Sequence, residues 1–110
     1  MRRGEVRWYT FEAPDKRRPA LILSRNSAIG FLNSLTIAPI TTTIRNIPSE
    51  VFLSRIDGMF TDCAVNLDNI QTAPKARIGA LIAALSAAKM EEVQKAISFA
   101  LGFDFPLNWA

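Results

Sequence analysis

Apolar and polar residues alternate along short segments of the first two thirds of the chain, which is typical of β-strands. The segments that fit best are GEVRWYTF (4–11), PALILS (19–24), LTIAPITT (35–42), SEVFLS (49–54) and TDCAVNL (61–67), with KARIGALI (75–82) as a candidate sixth. Proline cannot donate to a strand ladder, so Pro19 is expected as the first residue of its strand and Pro39 at an edge or bulge. The Asp57-Gly58 pair predicts a hairpin turn between the fourth and fifth strands.

The last third of the chain changes to a helical period. Ser86 is a candidate N-cap for AAKMEEVQKAISFAL (87–101), and Gly102 follows its end. Apolar side chains form one helical stripe, namely Met90, Val93, Ile97 and Leu101. Short strands followed by a helix predict a mainly β fold, a small barrel or curled sheet with a C-terminal α-helix. The length of 110 residues fits one domain over 1–110.

Charge is unevenly distributed along the chain. Residues 1–55 carry nine Lys and Arg against four Asp and Glu, whereas residues 56–110 carry four against six. Three of the cations, Lys16, Arg17 and Arg18, come directly before the second predicted strand. A basic half is the electrostatic footprint of a polyanion-binding protein, and chance clustering on a balanced surface is the alternative.

Composition excludes several kinds of site. The chain has no histidine and a single cysteine, Cys63, which excludes a Ser-His-Asp hydrolase, a two-histidine ribonuclease, the common zinc sites and an internal disulfide. The groups that remain suit attack by an RNA 2′-hydroxyl on its neighbouring phosphodiester, in which a guanidinium stabilises the developing charge. That reaction needs neither metal nor cofactor. No secretory signal or membrane-spanning stretch is recognised, so a cytoplasmic protein without membrane contact is expected.

Four segments carry a resemblance to a known family. RRGEVRW, RRPALILS, IAPITT and VNLDNIQT, followed by a C-terminal helix, resemble the MazF/PemK (Kid) toxins of bacterial toxin–antitoxin systems over nearly the whole chain. The resemblance implies a homodimer of SH3-like barrels with five to seven strands. It implies a sequence-specific endoribonuclease that cleaves single-stranded RNA without metal, leaving a 2′,3′-cyclic phosphate and a 5′-hydroxyl. It also implies a cognate antitoxin whose acidic, disordered tail occupies the RNA groove.

The same resemblance implies roles for individual residues. Arg18 of the Arg-Pro step would stabilise the pentacovalent transition state, and Thr41 would donate a hydrogen bond to a phosphoryl oxygen. Asp68 matches an acidic position that serves as general base in some members, and the three groups are expected on one concave wall. The RNA-binding candidates are Lys16, Arg17, Thr42, Asn66, Gln71 and Thr72. Asn66 stands where PemK-like members have an arginine, and no histidine is available in the first loop.

Other interpretations stay open at this point. Arg18 could belong to a structural ion pair, Asp68 could cap a turn or pair with Arg18, and Met59 and Phe60 could pack in a core or stack on bases. A CcdB-like, non-catalytic poison of DNA gyrase is an alternative function, for which the ending Trp109-Ala110 is the comparable feature. A catalytically inactive RNA-binding barrel is a second alternative.

Overall fold

The protein folds into a curled antiparallel sheet with a C-terminal helix, as the computed structural model describes for residues 1–12 and 16–104. The strands are β1 (Glu5–Thr10), β2 (Arg17–Ile22), β3 (Ser34–Thr41), β4 (Glu50–Leu53), β5 (Cys63–Asn66), β6 (Gln71–Pro74) and β7 (Ile78–Ala84). The helices are α1 (Asn26–Ile29) and α2 (Ala87–Ala100). Neither helix in these described ranges is long or apolar enough to cross a lipid bilayer. The predicted mainly β fold with a terminal helix is confirmed.

The strands form one antiparallel sheet in the order β4-β5-β3-β2-β1-β7, and β6 also pairs with β3. β3 is therefore central, and the prediction of an edge strand around Pro39 was wrong. Residues 34–37 of β3 pair with β6, and residues 40 and 41 pair with β5 on the same side. Pro39 lies between these two stretches, where one neighbouring strand replaces the other, and this position tolerates a residue without an N–H.

β2 begins two residues earlier than predicted, at Arg17. Pro19 is consequently the third residue of the strand and lies opposite Trp8 of β1. The pairing of β2 with β3 starts only at Ala20, opposite Pro39. Pro19 thus lies where β2 has a neighbour on one side only, which is the situation that permits a proline in a strand. The earlier start also brings Arg17 and Arg18 into the sheet.

The connection between β4 and β5 is longer than a two-residue hairpin. Leu53 pairs with Cys63, and residues 54–62 join them. Asp57 ends a 3₁₀ turn over Arg55–Asp57, its carboxylate accepts a hydrogen bond from the Ser54 N–H, and Gly58 follows with a φ of 96°. The Asp57-Gly58 signal marked a real chain reversal, but it closes a capped helical turn instead of the predicted hairpin turn.

Two elements lack a sequence signal. α1 spans only four residues, and β6, which contains Gln71 and Thr72, is a strand that the sequence analysis did not predict. A 3₁₀ turn over Leu67–Asn69 divides β5 from β6. Segments this short contain too few residues to establish a period, so their structure depends on the strands they pair with.

Apolar side chains pack on both sides of the sheet. One cluster includes Val6, Leu21, Leu53 and Val65 and is covered by α2 through Val93 and Ala96. The second cluster lies under α1 and contains Tyr9, Ala20, Ile22, Ile29, Leu35, Ile37 and Ala73. The predicted α2 stripe packs as expected at Met90, Val93 and Ile97, whereas Leu101 is exposed. Ser86 caps α2 by accepting a hydrogen bond from the Lys89 N–H, as predicted.

Candidate functional site

We define the α1 face as the side of the sheet on which α1 packs, carrying Ala20, Ile37 and Ala73. Residues directly opposite each other on neighbouring strands project to the same side, and alternate residues of one strand share a side. Ala20 lies opposite Pro39, so this register continued by two residues places Arg18 opposite Thr41. Arg18 and Thr41 thus project to the same α1 face, just beyond the last paired residues of β2 and β3.

The same alternation brings two more candidates to the α1 face. Thr41 pairs with Ala64 of β5, so Asn66, two residues further, projects to the same side. Gln71 pairs with the buried Ile37 and lies on this face as well. Four predicted site residues from four strands, Arg18, Thr41, Asn66 and Gln71, therefore share one face of the sheet, although they are widely separated in sequence.

The described residues cover only one end of the α1 face. Ile29 of α1 and the neighbouring Leu32 pack over Ile22 and Leu35. At the other end, Arg18 is exposed, and Thr41 and Asn66 are half-buried. This uncovered end, which we call the open shelf and define by Arg18, Thr41 and Asn66, is accessible to an extended ligand.

Arg18 and Thr41 both retain donors for a ligand. The Arg18 guanidinium has no hydrogen bond or ion pair with any residue that the structure describes, so no described carboxylate holds it in a structural ion pair. The Thr41 hydroxyl oxygen accepts a hydrogen bond of 3.0 Å from the Thr43 N–H. That contact uses a lone pair and leaves the hydroxyl proton free to be donated.

Asp68 makes its contacts with residues other than Arg18 and Thr41. It lies in the Leu67–Asn69 turn, four residues beyond Ala64, the partner of Thr41. The Ser49 hydroxyl donates a 2.6 Å hydrogen bond to Asp68 Oδ2, and the Asp68 N–H donates to Asn66 Oδ1. The structure thus places Arg18 and Thr41 on one face of the sheet, and it bonds Asp68 to Asn66 and Ser49 instead.

Ser49 is a site residue that the sequence analysis missed. Its side chain is buried, with 2% of the residue exposed, and its hydroxyl contacts Asp68 across the start of β4. A serine before a predicted strand has no distinguishing sequence signal, because serine is common at such positions. Only the burial of its hydroxyl against a carboxylate indicates a role in holding Asp68.

A buried acid on the same face is neutralised by an arginine. Glu50 pairs with Asn66, and its side chain is 2% exposed. Arg45 binds both Glu50 carboxylate oxygens, through its Nε at 2.8 Å and its backbone N–H at 2.9 Å. With this carboxylate compensated, Arg18, which pairs with none of the described residues, gives the open shelf a positive charge.

The remaining RNA-binding candidates surround this end of the sheet. Lys16 is exposed, and Arg17 projects to the opposite face, where its guanidinium carbon lies 4.4 Å from the centre of the Trp8 ring. Thr42 follows Thr41 directly and is exposed. Thr72 lies opposite Thr36, and it lines a cavity of about 360 Å³ together with Gln71, Phe11 and Arg77.

Arg77 also borders a second cavity of about 420 Å³ that is lined by Trp8, Thr10 and Arg17. Arg77 thus borders both cavities, and its side chain bonds weakly to Glu12 at 3.4 Å. Arg17 of β2 and the polar residues Gln71 and Thr72 of β6 therefore border two cavities that share the Arg77 side chain.

The described residues offer no arrangement of three or more Cys, Asp and Glu side chains that could hold a metal ion. Cys63 is buried beside the Thr41 strand, and burial, with smaller contributions from Asp62 and Asp57, raises the pKa of its thiol to about 11. A neutral buried thiol is a poor nucleophile. The chemistry available at this site is charge stabilisation, hydrogen bonding and proton transfer to a carboxylate.

Comparison with known proteins agrees with this geometry. The family of PemK-like, MazF-like toxins of type II toxin–antitoxin systems matches residues 2–101. Endoribonuclease MazF3 of Mycobacterium tuberculosis is 38% identical over 95 residues, which cover 86% of this chain and 88% of that protein.

Two solved structures share the fold. The Mycobacterium tuberculosis toxin MazF-mt6 superposes with a TM-score of 0.83 at 34% identity, covering 93% of this chain and 98% of that one. A mycobacterial endoribonuclease in complex with its cognate antitoxin superposes with a TM-score of 0.85 at 29% identity, covering 96% and 99%. The chain belongs to the PemK-like, MazF-like toxin family of type II toxin–antitoxin systems.

Proposed function

We propose that this protein is a toxin that cleaves single-stranded RNA at specific sequences, without a metal ion or cofactor. The observation that carries the proposal is the Arg18 guanidinium, which has no partner among the described residues and projects to the same face as Thr41, at the end of the α1 face that no described residue covers. A guanidinium without a protein partner is free to bind a phosphodiester. The family membership and the endoribonuclease names of relatives at this identity support the same activity.

The reaction we propose is internal transfer of the phosphoryl group. The 2′-oxygen of the RNA forms a bond to phosphorus while the bond to the 5′-oxygen breaks, which yields a 2′,3′-cyclic phosphate and a 5′-hydroxyl. Arg18 stabilises the charge that develops on the phosphoryl oxygens, and Thr41 donates a hydrogen bond to one of them. The 2′-hydroxyl proton passes to a base, and the leaving 5′-oxygen takes a proton from water.

Asp68 remains the candidate for that base. Ser49 occupies Oδ2, and none of the described residues donates a hydrogen bond to Oδ1, which can therefore accept a proton. Asn66 lies between the Arg18–Thr41 pair and Asp68 along β5, so RNA that follows the open shelf from Arg18 meets Asn66 and then Asp68. For Asp68 to act as base, the turn over Leu67–Asn69 must close on the scissile nucleotide.

RNA binding in this proposal uses the surface around the open shelf. Lys16 and Arg17 contact phosphates before the cleavage site, since both are cationic and next to Arg18. Thr42 and Asn66 offer hydrogen-bond donors beside Thr41, and Gln71 and Thr72 do so at the β6 cavity. Donors of this kind on single-stranded RNA read base edges as well as the backbone.

We also propose a homodimer and a cognate antitoxin as partners. The antitoxin would bring an acidic tail that competes with RNA for the cationic open shelf, since both ligands are polyanions. The described relative in complex with its cognate antitoxin supports such a partner. Light scattering on the purified toxin tests the dimer, and displacement of labelled RNA by the antitoxin tests the competition.

The direct test is cleavage of a long single-stranded RNA in excess EDTA, with mapping of the product ends. We expect Arg18→Ala to lower kcat/KM by at least about 100-fold, the usual effect of removing one preorganised charge stabiliser. Arg25→Ala is the matched control, because Arg25 is also an exposed arginine but lies before α1, away from the open shelf. Intact RNA with the wild-type protein, or near wild-type cleavage by Arg18→Ala, would refute the proposal.

The gyrase alternative depends on Trp109-Ala110, which lie outside the described residues. Deletion of residues 105–110 separates the two functions. Under the proposal here, RNA cleavage and toxicity are lost or kept together in every variant. Loss of toxicity with RNA cleavage intact would favour a gyrase poison.

A further inference from the structure

Three side chains stack at the end of the sheet next to the open shelf. The Arg17 guanidinium covers the Trp8 ring, and the Phe60 ring stacks beside Trp8 with 6.2 Å between ring centres and 20° between planes. Trp8 is half-buried, whereas Phe60 is 65% exposed. We call this row of three side chains, Arg17, Trp8 and Phe60, the aromatic row.

The backbone around Phe60 is fixed, so the exposure of its ring is built into the loop. Met59, the preceding residue, is buried in the α2-side core. The 3₁₀ turn over Arg55–Asp57 is capped at both ends, and the Arg55 Nε donates a 3.3 Å hydrogen bond to the Phe60 carbonyl. Ile56 in the same loop is 97% exposed; its N–H donates a hydrogen bond to Ser54 Oγ, but its side chain stacks on no described ring. Phe60 therefore presents a held aromatic surface, whereas Ile56 is an ordinary exposed side chain.

The aromatic row lies close to the proposed cleavage site. A small apolar cavity of about 70 Å³ is lined by Phe60 together with Pro19, Thr41 and Thr42. Thr41 is the strand partner expected opposite Arg18, and Arg17 of the row is the residue before Arg18. The aromatic row and the open shelf lie on opposite faces of the sheet and meet at this end of β3. An RNA strand that passes over the end of the sheet therefore places a phosphate at Arg18 and Thr41 and a neighbouring base at Phe60.

We propose that Phe60 stacks on a nucleobase beside the scissile phosphate, and that Trp8 and Arg17 hold its ring in position. This inference rests on the proposed function. Every base has a π-face that an exposed aromatic ring can cover, and aromatic side chains interleaved with cations are the usual platform for single-stranded nucleic acid. Base stacking does not require a net positive charge on the loop over residues 54–62, in which Asp57 and Asp62 offset the charge of Arg55. Attraction to phosphate comes from the three cations at residues 16–18.

The first test measures affinity apart from catalysis. The probe is an intact RNA oligonucleotide that contains a mapped cleavage site, and 2′-O-methylation of the scissile nucleotide prevents its cleavage. We expect Phe60→Ala to weaken its binding about tenfold, in line with loss of one base–aromatic stack. Phe60→Trp is expected to bind as wild type, and Phe60→Leu to bind as weakly as Phe60→Ala, although it keeps an apolar side chain. Ile56→Ala, in the same loop, is the matched control and is expected to change nothing.

The second test identifies the contact. Each base of the oligonucleotide is removed in turn to leave an abasic site, and binding is measured with wild type and Phe60→Ala. At the stacking position, removing the base weakens wild-type binding about tenfold but has no further effect on Phe60→Ala. Trp8 fluorescence, measured in a Trp109→Phe background, is expected to change only when that base is present.

Two results would overturn the inference. One is unchanged affinity of Phe60→Ala and Phe60→Leu, both shown to be folded by urea denaturation. The other is that no abasic position is coupled to Phe60. If either occurs while Arg18→Ala still abolishes cleavage, the proposed function stands and only the stacking role fails. Intact RNA with the wild-type protein would instead remove the proposed function.

Discussion

The charged residues Glu50 and Arg18 of the α1 face differ in whether another residue of the protein neutralises their charge. The Glu50 carboxylate is buried and bound through both oxygens by Arg45, whereas Arg18 is exposed and unpaired within the described ranges. A buried charge must be compensated by the fold, because leaving it unpaired costs several kcal/mol. An exposed charge carries no such cost and is available to a ligand. This contrast separates the structural charge from the candidate functional one.

At the same scale, Ser49 is expected to act on catalysis through Asp68. Ser49→Ala removes the donor that fixes the Asp68 carboxylate, so kcat for RNA cleavage should fall about tenfold with little change in KM, the scale of one hydrogen bond to a charged group. Ser49→Thr keeps the hydroxyl and should restore kcat. In an Asp68→Ala background, Ser49→Ala should cause no further loss. Full activity of Ser49→Ala beside an inactive Asp68→Ala would show that Asp68 acts without this contact.

Cys63 makes stability depend on alkaline pH. Burial raises the pKa of its thiol from 9.0 to about 11, so the folded protein disfavours the thiolate. The contribution of the buried, protonated Cys63 thiol to the free energy of unfolding is complete below pH 9, the pKa of this thiol in the unfolded chain. It is lost as the pH rises from about 9 to about 11. Urea denaturation at pH 8 and pH 10.5 should show a larger loss of unfolding free energy for wild type than for Cys63→Ala. Equal losses of unfolding free energy in the two proteins would show that Cys63 is not the cause of the pH dependence.

At the scale of elements, the loop over residues 54–62 shows how a connection fixes a side chain. Gly58 ends the 3₁₀ turn with a φ of 96°, and a Cβ at this position would lie 2.9 Å from the Ala83 Cβ of β7. The loop therefore packs closely against the edge strand. This packing orients the following residues, Met59 towards the core and Phe60 towards solvent.

Two glycines test that interpretation as a matched pair. Gly58 and Gly102 both have positive φ, but no atom of the described residues lies within 4 Å of a Cβ built at Gly102. Gly102→Ala should cost about 1 kcal/mol of unfolding free energy from backbone strain alone. In Gly58→Ala the new Cβ also clashes with the Ala83 Cβ, so the cost in unfolding free energy should be about 2–4 kcal/mol. Urea denaturation measures both, and equal costs would mean that the loop moves away from β7 freely.

At the scale of the whole molecule, the charge asymmetry of the sequence is redistributed by the topology. β5 of the acidic half lies between β4 and β3 of the basic half, and β7 lies next to β1. The halves therefore interleave and do not form a basic and an acidic lobe. What concentrates positive charge is the end of the sheet where β2 starts, with Lys16, Arg17 and Arg18 exposed together.

Affinity for RNA should fall steeply with salt because these cations displace counterions from phosphates. Three phosphate contacts on a single strand predict a slope of about −2 for the logarithm of affinity against the logarithm of salt concentration. Lys16→Gln should reduce the slope by about 0.7, the contribution of one phosphate. Lys95→Gln, an exposed lysine on α2, should leave it unchanged. A slope that does not respond to Lys16→Gln would place the RNA elsewhere.

The sequence by itself determined the features that depend on near neighbours. Alternation gave β1 to β5 within a few residues of their observed ends, the 3.6-residue period gave α2 with its Ser86 cap, and family motifs indicated Arg18, Thr41 and Asp68. These signals are local, because a strand or helix period is complete within the segment itself.

Tertiary structure decided every feature that depends on register and strand order. It made β3 central despite Pro39, formed β6 by pairing it to β3, and joined Asp68 to Ser49 and not to Arg18. It also stacked Trp8 against Phe60. Each of these contacts joins residues far apart in the chain, and a local pattern carries no information about which distant residue will lie opposite.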